Sequence, residues 1–128
     1  MKTKKSTAYW VLYMAAFLLL AMLSAAPLAM AADKTTVSIG PGDSHEDCSP
    51  VGPGQTFNYS FTSTAPVAFS IHYHKEPRAK IVFVLKKRPA TKLEGGYSPK
   101  EKHEYCLMWT NTQTTPLIVS YSKSVSGK

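Results

Sequence analysis

His72 and His74 stand two residues apart in a stretch, Val67 to His74, whose apolar and polar side chains alternate. On an extended strand that spacing sends both imidazoles to one face, about 7 Å apart at the backbone. Leaning together, they could offer two nitrogens to one zinc or copper ion. Two nitrogens do not complete a site, because zinc takes three or four ligands and copper needs comparable support. His45, His103, Glu104 and Met108 are the candidates for a third ligand. A Cu(I) set of His72, His74 and Met108 is one expectation, with Cys106 held in a disulfide. A blue-copper set would need Cys106 as a thiolate together with a histidine soon after it, and none follows.

The same pair also reads as ordinary polar residues on an exposed strand face. With Ser70 and Lys75, and the turn that runs on to Arg78, they form a candidate surface for a protein, lipid or glycan. Catalytic patterns are missing: there is no Gly-x-Ser-x-Gly elbow and no phosphate-binding glycine loop. The expectation is therefore a non-enzymatic binding module without a required cofactor, and the alternative is a copper- or zinc-binding protein.

Both readings depend on where the chain works. Residues 1–31 have the form of a secretory signal helix, with Lys2, Lys4 and Lys5, an apolar run from Trp10 to Leu23, and a small-residue end at Ala29-Met30-Ala31. That implies a periplasmic or secreted domain over residues 32–128, with no stable membrane span once the signal is cleaved. The apolar run, continued through Leu28, could also remain as an anchor. The formal net charge is +7, but three of those charges leave with the signal, so a mildly basic +4 remains. Lys86, Lys87, Arg88 and Lys92 carry much of it as a run without interleaved aromatics, which argues against a nucleic-acid groove.

A domain this small buries only about two-thirds of its unfolded surface, so a covalent tie would help it. Cys48 and Cys106 are the only cysteines, and export favours their bridging. Two free thiols or a pair of metal thiolates are the other readings. A bridge closing nearly sixty residues contributes about 4 kcal/mol in the chain-entropy model.

The elements that would hold these residues are strands. Thr35 to Ile39, Thr56 to Thr62, Val67 to His74, His103 to Thr110 and Leu117 to Ser122 alternate with a period of two. Lys80 to Leu85 is apolar on both sides after Lys80, as for a strand covered on two faces or at a sheet centre. Residues 43–54 and 86–102 are rich in Pro, Gly and charge and read as loops, the second with at most a short strand near Leu93 to Ser98. Ser63 to Pro66 reads as a turn, and the tail from Lys123 as frayed. Strands at intervals of about ten residues, divided by Pro and Gly, predict a small antiparallel all-β sandwich with its core at about 47–122.

Three features resemble one family. Asp47-Cys48, the paired aromatic strands Phe57 to Phe61 and Val67 to Tyr73, and Tyr105-Cys106 followed by Asn111 are similar to the GOLD domain, the lumenal β-sandwich of vesicle cargo receptors. The resemblance implies a Cys48–Cys106 bridge, core roles for Tyr105 and Trp109, and a compact, jelly-roll-like sandwich. The stem, membrane span and cytoplasmic tail of those receptors have no counterpart here, so their trafficking role is not carried over. The chain also looks like small exported bacterial proteins without an assigned activity, which implies the periplasm. The partner would be a component of the envelope.

Overall fold

The structure is a computed structural model and describes residues 33–76 and 80–128. The expected signal, the Arg78 end of the turn and its neighbours Pro77 and Ala79 lie outside the described residues. Six strands follow in order: β1 Thr35–Ile39, β2 Ser44–Val51, β3 Gln55–Lys75, β4 Lys80–Tyr97, β5 His103–Thr110 and β6 Leu117–Gly127. Every pairing is antiparallel. The described residues are all-β, as the period of two requires. Among the described residues no helix is long and apolar enough to cross a membrane.

One long ribbon organises the rest. β3 and β4 pair from Phe57↔Tyr97 to Lys75↔Lys80, and the opposite edge of β3 is shared by two partners in turn. β6 pairs with residues 55–63 and β5 with residues 68–73. Between them β3 advances from Thr62 to Val67 while β4 moves only from Lys92 to Ala90, so the ribbon bends there. The bend turns the β1–β6 half of the sheet to face the β2–β5 half, and the aromatic side chains fill the space between. Trp109 lies at the centre, 4.4 Å from Tyr121, 5.6 Å from Phe69 and edge-on to Phe61 at 5.8 Å, measured between ring centroids. All four are buried, as are Tyr105, Leu107, Leu117 and Val119.

The two Gly-Pro-Gly sequences carry the chain between halves. In Gly40-Pro41-Gly42-Asp43 and in Gly52-Pro53-Gly54-Gln55, the fourth amide donates to the first carbonyl at 3.1 Å. Gly42 and Gly54 sit at φ 77° and 84°, the left-handed conformation that a type II turn demands after proline.

Several expected boundaries differ. Residues 44–51 are a strand, because eight residues of β5 supply the ladder from Ser44↔Thr110 to Val51↔His103. Pairing overrides weak local propensity here, and Pro50 is tolerated because β2 is an edge strand. Ser63 to Pro66 is the bend within β3, not a chain reversal. β4 is neither central nor a loop after residue 85: it is the outer edge of the ribbon, with Ile81 and Phe83 44% and 41% exposed. Its basic run and Pro89 are features that keep an open edge from pairing with other chains. The tail does not fray, since β6 continues along β3 to Gln55↔Gly127.

Candidate metal centre

β3, β5 and β2 lie side by side, and their register sets the site. His72 is opposite Cys106, which is opposite Cys48; one step along, Ser70 is opposite Met108, which is opposite Glu46. These even-numbered residues occupy the face turned away from the aromatic core. The Cys48–Cys106 disulfide forms across the directly opposed pair, 58 residues apart in sequence. No cysteine thiolate is therefore present, and the blue-copper set is excluded in this state.

Ser70 and His72 were expected on an exposed face, and both are fully buried. The strands are covered there by the disulfide, by His74 and by Phe83, whose ring lies 5.8 Å from that of His72. His74 and Lys75 are exposed. A recognition surface made of all four residues is thus not available, although its outer half is.

Three donor atoms converge on this face. His72 Nε2 lies 3.0 Å from Glu46 Oε1, His74 Nε2 lies 3.2 Å from the same oxygen, and the two nitrogens are 3.3 Å apart. A tetrahedral ion with bonds of about 2.0–2.1 Å holds its ligand atoms about 3.3 Å from one another. The three atoms therefore already mark one face of such a tetrahedron.

The histidine tautomers bear on the same atoms. With its proton on Nε2, His72 donates to Glu46 Oε1 at 3.0 Å. A cation at the centre would take the lone pairs of both Nε2 atoms and of Glu46 Oε1, and would put the His72 proton on buried Nδ1, which has no acceptor there. Burial holds the His72 imidazole below the usual histidine range, with Glu46 partly offsetting this. Its neutral form, the one that binds metal, prevails at pH 7.

The third converging atom belongs to Glu46, which was not among the expected ligands. Glu46 follows from combining two facts: Cys48 pairs with Cys106, and side chains two apart on a strand share a face. The relation appears only once residues 44–51 pair with β5, since a loop has no register. Of the expected third ligands, Met108 shares this face directly across from Glu46. Glu104 is opposite Pro50. His45 belongs to the other face, 3.0 Å from the Tyr121 hydroxyl. His103 stacks on Tyr73 at 4.0 Å and pairs with Glu101 at 3.2 Å.

No family model matches the chain, and no curated protein matches it. Among solved structures, similarity is found to the periplasmic inhibitor of g-type lysozyme from Aeromonas hydrophila, at 12% identity and a TM-score of 0.49 over 73% of this chain and 86% of that one. A structure titled CBM4 structure and function matches at 10% identity and 0.49, over 74% and 84%. A designed double-stranded β-helix matches at 16% and 0.38, over 72% and 99%. None of these names a GOLD domain, and the chemistry of the site rests on this chain's own residues.

Proposed function

We propose that this chain is an exported, non-enzymatic β-sandwich binding module whose ligand is a divalent transition-metal ion, zinc or copper, held by His72, His74 and Glu46. The convergence of three donor atoms within 3.0–3.3 Å of one another carries this reading. Two imidazoles and a carboxylate suit Zn²⁺ and Cu²⁺ and suit Mg²⁺ or Ca²⁺ poorly. The ladders of β2, β5 and β3 fix the backbone beneath all three ligands, so little ordering is needed when the ion arrives.

Calorimetric titration of the oxidised protein with Zn(II), Cu(II) and Cu(I) tests it. One ion should bind with a Kd of about 1 μM or tighter, and the binding should vanish in a His72→Ala, His74→Ala double variant. Equal weak binding by both proteins rejects the site.

A second reading draws on the exposed side chains beside it. Ile81 and Phe83 on β4 lie beside His74 on β3, giving an exposed apolar patch with an imidazole at its edge. In this GOLD-like alternative the patch meets an envelope protein, lipid or glycan. A pull-down in which Ile81→Ser, Phe83→Ser releases the captured partner would favour it.

A further inference from the structure

Beside the three converging atoms lies a fourth that is chemically masked. Cys106 Sγ stands within 4.8 Å of His72, His74 and Glu46 donor atoms, and Cys106 is 1% exposed. In the disulfide that sulfur is a poor ligand; as a thiolate it is among the best for zinc and Cu(I). We propose that the Cys48–Cys106 disulfide gates the metal centre: reduction by a dithiol frees Cys106 as a fourth ligand and converts a His₂Glu site into a His₂GluCys site. The proposal rests on the metal reading above.

The two sulfurs differ in the way such a gate needs. Cys48 is half-buried on the edge strand β2 and open to attack, whereas Cys106 is buried on β5 between β2 and β3. A reductant thiolate attacks Cys48 Sγ, the Sγ–Sγ bond breaks, and its electron pair departs with Cys106. A bound cation stabilises that leaving thiolate, since leaving-group acidity speeds exchange. The reductant's second thiol then attacks the mixed disulfide and releases Cys48 as a thiol. The reductant ends as a disulfide, Cys106 remains unprotonated on the metal, and one proton passes to solvent.

Reduction does not set Cys106 adrift. The ladders Cys48↔Cys106 and Cys106↔His72 belong to runs of eight and six paired residues, so backbone pairing as well as the bridge positions Cys106. Closing the remaining gap is a matter of side-chain rotation about Cys106 within that frame.

Cobalt(II) reads sulfur ligation directly, through the near-ultraviolet thiolate-to-metal band. The oxidised protein should bind Co(II) without this band. The dithiol-reduced protein and Cys48→Ser should show it and bind at least about tenfold more tightly. Cys106→Ser, which loses the same disulfide, should bind without the band, and circular dichroism of both variants checks folding. A measurement without variants uses reciprocity: saturating Zn(II) should shift the thiol–disulfide equilibrium of the wild type toward the reduced form by the same factor. Binding by the oxidised protein with no sulfur band after reduction, or an equilibrium indifferent to zinc, overturns the gate alone. Absence of His72-dependent binding in every form overturns the metal reading and the gate with it.

Discussion

Tyr121 on β6 donates its hydroxyl to Oδ2 of Asp47 on β2 at 2.7 Å, joining two strands that never pair. His45 Nε2 is 3.0 Å from the same hydroxyl, and Lys123 forms an ion pair with Asp47 and also donates to the Cys48 carbonyl at 2.7 Å. The edge strand that carries Glu46 is thereby held across the core by side chains on the opposite half. Burial alone would raise the Asp47 carboxyl, but Lys123 and Tyr121 outweigh it and hold it below the usual carboxylate range. Tyr121→Phe removes a hydrogen bond to a charged acceptor and should cost about 1.5–3 kcal/mol in urea unfolding. A change within about 0.5 kcal/mol, the range of an ordinary surface substitution, would show that the link contributes nothing.

Alkaline pH should loosen the same region. Burial pushes the Tyr121 phenol up to about 12, and the Asp47 carboxylate adds to this; burial does the same for Tyr105, with help from Tyr97. In the unfolded chain both ionise near 10, so there the unfolded state loses its protons first. The stability held by each phenol is complete below pH 10 and falls as pH rises toward 12, by about 2–3 kcal/mol per tyrosine at the upper end. Unfolding midpoints measured from pH 8 to 12 should fall in this window, and Tyr121→Phe should flatten the fall. A flat wild-type profile would contradict the assignment.

Asn111 is fully buried and uses its whole amide. Its Nδ2 donates to the carbonyls of Ile39 and Thr115, both at 2.9 Å, and its Oδ1 accepts from the Gln113 amide at 2.8 Å. It closes the turn between β5 and β6 and ties it to the end of β1. Asn111→Ala strands buried backbone groups and should cost about 2–4 kcal/mol, while Asn111→Asp, which keeps only the acceptor, should be nearly as harmful. Chemical denaturation distinguishes this from a surface asparagine, whose loss is almost silent.

Breaking the disulfide should cost about 4 kcal/mol in the chain-entropy model, given its 58-residue span. Denaturant midpoints with and without a dithiol measure this. If Zn(II) restores much of the loss in the reduced protein but adds less to the oxidised one, the coupling between sulfur and metal is visible in stability as well as in spectra.

Alternation made most of the fold legible. Phe57 and Phe61, then Phe69 and Ile71, then Tyr105, Leu107 and Trp109, are buried as their period of two requires, and the disulfide joins the cysteines expected. What stayed hidden is whatever pairing alone decides. Ser44 to Val51 looks like a loop because its charges and proline disfavour strands; it becomes a strand because β5 offers it an edge. Lys86 to Pro89 looks like a loop because edge strands share loop composition. The histidine pair was readable from its spacing, but the burial of His72 and the arrival of Glu46 depend on neighbours far away in sequence.

That difference can be tested at the site itself. Met108 is one of four residues the sequence offers as a third ligand, and the one in the Cu(I) set, whereas the converging atom is Glu46 Oε1, 3.0 Å from His72 Nε2. Removing the charged donor should weaken Zn(II) binding far more than removing the thioether. Glu46→Gln should lower affinity by about 100-fold, at or beyond the range seen when ligand-supporting groups are lost. Met108→Leu keeps volume and apolar character and should leave it within about threefold. Cu(I) is the sharper comparison, because a soft ion would reveal a thioether ligand if there were one. Should Met108→Leu abolish Cu(I) binding while Glu46→Gln leaves both ions untouched, the ligand set drawn from the structure is wrong and the His72, His74, Met108 set is right.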